Sequence, residues 1–447
     1  MNRLRFGGLA LAVVLVVGCS AGAASPSASP TASQAPGSAA PASATPAGSA
    51  ATTPSSLSGD IKVIMEQVPD TDVVASLLAD FNKDYPNVHV TIDGMTYDQM
   101  RDRIVSSFLT TQPTYDMIIV DNPWMYDFAS GGFLEPLDAR IAATPGFDYN
   151  DYAKPLRDIA EVNGKTYGIP FYNYGLGLIY RKDLYQAAGL QPPATLDDLV
   201  TAAKKLNAAG RAGLAMQPQK GYKIFEEWGN YLFAAGGAIQ SPDGKVALDS
   251  PEARRALQTY IDLYKTVAPA DSLNWAFDEA LRAVGGDKAA QMISYNWMLP
   301  TLNKTGGPGG DLAGKFALAQ VPGGKAILGA WYWSIPSNST KKDAAWAFIS
   351  WLTSKEHDSE RVIRGGAPVR ESVMNDPNVW EKGFGQDYYQ TAGKILANSA
   401  PLADGPNAEE SINVVGDALN AAVAGQLSVD AAIKQAATNM QAVLDKK

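Results

Sequence analysis

Residues 20–58 carry no charged side chain and consist almost entirely of Ala, Ser, Pro, Thr and Gly. A stretch with so little apolar surface cannot offset the entropy of ordering its chain, so it reads as a flexible spacer. Folding is thereby confined to residues 59–447, a length greater than one hydrophobic core usually serves, and two lobes are expected.

Ahead of the spacer, Arg3 and Arg5 precede an uncharged, mostly apolar run over residues 6–18. This is the charged start and hydrophobic stretch of a secretory signal peptide, assigned to residues 1–18, and the run is too short to span a bilayer permanently. It ends in Val16-Val17-Gly18-Cys19, which resembles a bacterial lipobox, in which the cysteine is lipidated and becomes the first residue after cleavage. Cys19 is the single cysteine of the chain, which excludes intrachain disulfides. The expectation is a protein outside the cytoplasm, held on the outer face of the cell membrane by lipid on Cys19, with residues 19–58 spacing the folded body from its anchor.

The formal net charge is -9 and no basic run occurs, which argues against nucleic acid or anionic lipid as a partner. The two histidines, His89 and His357, have no spaced partners for zinc or for a catalytic triad. Residues 309–315 approach the spacing of a phosphate loop, yet Phe316 stands where a Ser or Thr must bind magnesium. Asp243-Gly244 is a hairpin turn signal without the further oxygen ligands of a calcium loop. Neither a metal nor a cofactor is expected.

Along the body, residues 61–65 form a short apolar run, residues 71–85 show helical spacing of Val74, Leu77, Leu78 and Phe81, and residues 87–92 alternate as a strand. Residues 100–109 repeat the helical pattern and residues 115–120 are a buried-strand run. Strand, helix, strand, helix, strand defines an α/β lobe. Further helices are predicted over residues 195–207, 225–235, 251–266, 276–284, 342–352 and 429–444, the first opened by a capping box at Thr195 and Asp198. Strands are predicted over residues 291–295 and 328–336, with Asn163-Gly164 a turn feeding another.

An Asp opening a strand at Asp116, Asp121 after it, then Trp124 and Gly131-Gly132-Phe133-Leu134-Glu135-Pro136-Leu137-Asp138 form an order that resembles the family 1 extracellular solute-binding proteins of sugar ABC importers. The likeness continues through residues 164–170, 178–184, 292–297, 333–353 and 366–370, and so spans nearly the whole body. The resemblance implies an α/β, two-lobed periplasmic-binding-protein fold, type II-like, with lobes joined by hinge strands. Lobe 1 is placed at residues 59–172 plus 330–366 and lobe 2 at residues 173–329 plus 367–447, with crossings near residues 171–175, 326–330 and 366–370. It also implies a monomeric, non-catalytic receptor that passes a small carbohydrate or polyol to the permease subunits of an ABC importer.

In open α/β sheets ligands collect beyond the carboxyl ends of strands, and a sugar asks for charged or amide groups beside flat aromatic rings. On the first lobe these criteria select Glu66, Tyr97, Asp121, Asn122 and Trp124. On the second they select Tyr172, Asn173, Glu227, Trp228, Asn296 and Trp297, with Trp331, Trp333 and Arg370 near the hinge. Buried carboxylate or arginine bonds to hydroxyls contribute on the order of 1.5–3 kcal/mol each, and Trp297 is the leading stacking candidate. Structural roles compete: Asp121 as a helix N-cap before Asn122-Pro123, the tryptophans as core filler, and Glu227 as an exposed helix residue beside a buried Trp228. A lipid-anchored glycoside hydrolase, or a receptor for a non-sugar solute, is the alternative.

Overall fold

The computed structural model describes residues 56–446, so the signal peptide, the lipidation site at Cys19 and the spacer up to residue 55 lie outside the described residues. Ile61, Val63, Ile64 and Met65 are shielded from solvent on both faces of strand β1 (Gly59–Glu66), as in a parallel sheet covered by helices on each side. β1 pairs in parallel with the edge strand β2 (Val88–Met95), where Val88 is buried and His89 exposed, and with β3 (Met117–Asp121), which is buried throughout. The crossover helices are Pro69–Asp84, which buries Val74, Leu77 and Phe81, and Tyr97–Phe108.

A hairpin of β4 (Glu161–Val162) and β5 (Lys165–Thr166) turns on Asn163 and Gly164, whose φ angles of 52° and 73° suit a two-residue Asn-Gly turn. β6 (Ile169–Arg181) then runs the full height of the body. Its first half pairs with β9 (Ala326–Ser334); its second half pairs with β7 (Gln291–Tyr295) and β8 (Phe316–Ala319). β9 in turn pairs with β3 through Trp331–Ser334 and with the short β10 (Ser399–Ala400) at its start. The sheet order is therefore β2-β1-β3-β9-β6-β7, and β6 and β9 are the strands common to both halves.

Close contact across this junction requires small residues. A Cβ on Gly175 would meet Ile395 at 2.9 Å, and one on Gly177 would meet Leu318 at 2.6 Å. Residues 366–370 run beside the junction: the amide of Asn173 donates to the Pro368 carbonyl. Arg361 locks this corner, donating to Asp70 (2.8 Å), Asp358 (2.7 Å) and the Ala367 carbonyl (2.7 Å), with its guanidinium 4.5 Å from the Phe171 ring centroid.

The expected capping box is formed, Thr195 Oγ1 accepting from Asp198 N and Asp198 Oδ2 from Thr195 N. Asp243 and Gly244 turn a hairpin closed by Ser241 N donating to the Lys245 carbonyl. One expectation needs correction. Glu227 is buried, not exposed, because the helix Tyr222–Ala234 is enclosed along most of its surface. His357 is half-buried: its ring stacks on Trp351 at 3.6 Å and its Nδ1 lies 2.9 Å from both Ser354 Oγ and the Trp351 carbonyl.

Candidate functional site

The carboxyl ends of β1 and β3 open onto a cavity of about 440 Å³, within the range typical of small-molecule sites. Glu66 and Asp121 stand at those strand ends, and Tyr97 joins them from the first turn of its helix. Tyr174 of β6, with Gly329 and Trp331 of β9, forms the floor. The facing wall comes from Tyr222, Lys223 and Glu226 in the first turns of the helix Tyr222–Ala234, from Tyr295 at the end of β7 and from Trp297 just after it. Glu409 and Asn413 of the helix Ala408–Val423 close one side.

Asp121 holds both roles weighed for it. Its Oδ1 accepts from Asn122 N at 2.9 Å, capping the helix Asn122–Ser130, while its Oδ2 accepts from the Tyr97 hydroxyl at 2.9 Å. Burial pushes this carboxyl well above the usual range; Glu66 and Glu226 push the same way, against the Tyr97 hydroxyl and Lys223. Across the cavity, Lys223 Nζ lies 3.2 Å from Glu226 Oε2, and the Tyr295 hydroxyl donates to that same oxygen at 2.7 Å. The ammonium lies 4.9, 5.3 and 5.1 Å from the ring centroids of Tyr222, Phe277 and Tyr295, so the cation is held in an aromatic box and its charge is met by Glu226.

Two indoles supply apolar faces. Trp297 lies nearly parallel to Tyr295, 6.2 Å between centroids and 16° between planes, and its Nε1 finds no acceptor among the described residues. Trp331 is gripped edge-on by Tyr97 and Trp124, at 5.8 and 5.7 Å. Carboxylates that accept from hydroxyls, beside rings that cover C–H faces, suit an uncharged hydroxylated guest. Among the described residues no group of three or more His, Cys, Asp or Glu is arranged to hold a metal ion.

Of the residues selected from the sequence, Glu66, Tyr97, Asp121, Trp297 and Trp331 line this cavity. The others lie outside its lining. Asn122 accepts from Ala330 N, tying the helix start to β9, and Trp124 and Tyr172 pack behind Trp331. Asn173 accepts from the Asn296 amide at 3.2 Å within the hinge corner. Glu227 turns away from the cavity, accepting from Tyr260 Oη at 2.5 Å and Gln217 N at 2.6 Å, and burial raises its carboxyl to about 8. Trp228 is core beside Phe225, and Trp333 packs on Phe171. Arg370 ties neighbouring segments together, donating to the Thr353 and Asp148 carbonyls and to Tyr152 Oη.

Sequence reasoning missed Tyr174, Tyr222, Lys223, Glu226, Tyr295, Glu409 and Asn413. Helical phase contained part of the signal: Phe225, Trp228 and Leu232 repeat as a core stripe, which leaves Tyr222, Lys223 and Glu226 together on another face. Nothing local marks Glu409 or Asn413.

The family model for bacterial extracellular solute-binding proteins matches residues 67–358. A probable amino-acid ABC transporter periplasmic-binding protein of Sinorhizobium fredii is 23% identical over 337 residues, covering 74% of this chain and 77% of that one. An ABC transporter solute-binding protein from Agrobacterium radiobacter K84, solved in complex with ribitol, superposes with a TM-score of 0.78 at 26% identity, covering 88% of this chain and all of that one. The maltose-bound MalE3 of T. maritima gives 0.78 at 29% identity, covering 86% and 99%. The two-lobed architecture is that of these structures, and with the family model running from lobe to lobe, the chain belongs to the bacterial extracellular solute-binding proteins.

Proposed function

We propose that this protein captures a sugar or polyol between its lobes and delivers it to the permease subunits of an ABC importer, without catalysing a reaction on it. The observation that carries the reading is the cavity itself: strand-end carboxyls on one wall, indole and phenol faces on the other, and a floor of two strands shared by both halves. The ribitol and maltose bound by the two similar structures support the same solute class. The lobes divide at residues 59–172 plus 330–366 and 173–329 plus 367–447, a boundary supported by the pairing change midway along β6. The binding residues are Glu66, Tyr97, Asp121, Trp297 and Trp331, joined by Tyr174, Glu226 and Glu409.

A thermal-shift screen over polyols, mono-, di- and trisaccharides and amino acids tests the reading. A large shift with a polyol or sugar, recovered chemically unchanged, supports it. A response confined to amino acids transfers the site to the solute class of the Sinorhizobium relative, and released reducing ends convert the receptor into a hydrolase. The protein works as a monomer anchored through Cys19 on the outer face of the membrane. Mass spectrometry of the mature N-terminus tests the anchor: an unmodified Cys19 refutes it.

A further inference from the structure

The helix Ala408–Val423 belongs with the second lobe: it packs against the helices Tyr222–Ala234, Pro251–Val267 and Val429–Leu444, and Lys220 pairs with its Asp417 at 3.2 Å. Its first turn is nevertheless held from the first lobe. Arg101, on the helix Tyr97–Phe108, places Nε 2.5 Å from Glu409 Oε2. Asp127, on the helix Asn122–Ser130, accepts from the backbone N–H of Asn407 at 3.1 Å. Asn407 is the N-cap residue, yet it sits in the left-handed region (φ 55°, ψ 31°) and its own side chain makes no capping bond. The helix carries Glu409 and Glu410 in its own first turn, but the carboxylate that accepts from its cap residue's backbone N–H comes from the opposite lobe.

We infer that Arg101 and Asp127 form a closure latch, which holds the Glu409 wall of the cavity in place and slows release of the solute without touching it. The inference rests on the proposed capture between lobes. The ion pair and the hydrogen bond both span bodies that the chain joins only through β6, β9 and residues 366–370, so rotation about those segments breaks them. An interaction made in the closed arrangement alone shifts the opening equilibrium whether or not solute is bound, and with solute it acts on the off-rate. Glu409 couples latch to cavity directly, since it lines the cavity while bound to Arg101.

The test uses the mature chain as Arg101→Glu, Asp127→Ala and the charge-swapped pair Arg101→Glu with Glu409→Arg. Small-angle scattering of the solute-free proteins is expected to give a larger radius of gyration for both single variants and a return toward wild type for the swapped pair. A merely structural role would not be rescued by reversing both charges. Stopped-flow tryptophan fluorescence with ribitol and maltose as probes is expected to show dissociation faster by roughly five- to twentyfold in the single variants, with association within about twofold. Scattering identical to wild type in both single variants overturns the latch, as does an unchanged off-rate for a probe that binds. Should neither probe bind wild type, the solute screen decides the sugar reading separately and scattering alone decides the latch.

Discussion

Replacing Trp297 by alanine removes an indole that is 6% exposed, 5.8 Å from Tyr174 and nearly parallel to Tyr295. Its Nε1 has no acceptor among the described residues, so the side chain offers a solute both a face and a donor. Stacking beyond simple burial contributes about 1 kcal/mol, and a neutral hydrogen bond about 1 kcal/mol net. Alanine is therefore expected to weaken binding by about 2 kcal/mol, ~30-fold in Kd. Phenylalanine keeps a ring and loses the donor, for a cost of about 1 kcal/mol or ~5-fold. Calorimetric titration with the tightest sugar or polyol from the screen measures both, and melting of the solute-free proteins separates binding from packing. Equal affinity in wild type and the alanine variant refutes the assignment; a lowered melting temperature alone returns Trp297 to the role of wall filler.

Burial raises Glu227 from 4.5 to about 8, so the fold favours its protonated form. The stability this contributes is complete below pH 4.5 and is lost as pH rises through about 8; melting temperature should fall more across that window in wild type than in Glu227→Gln, and equal slopes would refute the burial argument. Arg361→Met strands Asp70 and Asp358 in the interior, with an expected loss of about 3–5 kcal/mol in denaturant unfolding. The loss should be greater at pH 8 than at pH 5, because burial pushes Asp70 up to about 6 and it takes a proton at the lower pH; a loss below ~1 kcal/mol contradicts a shared cation. Gly416→Ala puts a Cβ 1.8 Å from the Gly221 carbonyl oxygen, forcing the helix Ala408–Val423 off its neighbour. Stability should drop by about 1–3 kcal/mol and solute affinity with it, as Glu409 and Asn413 shift; unchanged affinity would free those residues from the site.

The first lobe was legible because its signals are local. Residues 115–120 read as a buried strand since a strand covered on both faces is a continuous apolar run, and β3 is buried at every position. The helix at residues 342–352 coincides with Lys342–Leu352 for the same reason, and outside that lobe the run at residues 291–295 coincides with β7. The junction was only partly legible. Periodicity marks residues 171–175 and 326–330 as extended, but the register that sets Gly175 against Leu328 joins segments far apart in sequence. A one-residue slip would exchange every face, and the choice is made by packing around Ile395 and Leu318, which no local pattern reports.

Site residues divide along the same line. The place of Glu66 and Asp121 in the cavity lining was legible because strand ends in an open α/β sheet point at one crevice whatever the rest of the chain does. Glu227 was selected over Glu226 because adjacency alone cannot say which of two neighbours faces inward. Tertiary contacts decide it: Glu227, one turn before the Tyr231 that packs on Tyr260, accepts from the Tyr260 hydroxyl, and Glu226 stands beside Lys223 at the cavity. Glu409 carries no signal at all, since its place depends on two helices touching through the backbone of Gly221 and Gly416. A cavity between lobes takes one wall from chain geometry and the other from docking. Substitutions that alter docking without entering the cavity, Gly416→Ala among them, should therefore change solute affinity as strongly as loss of a direct contact.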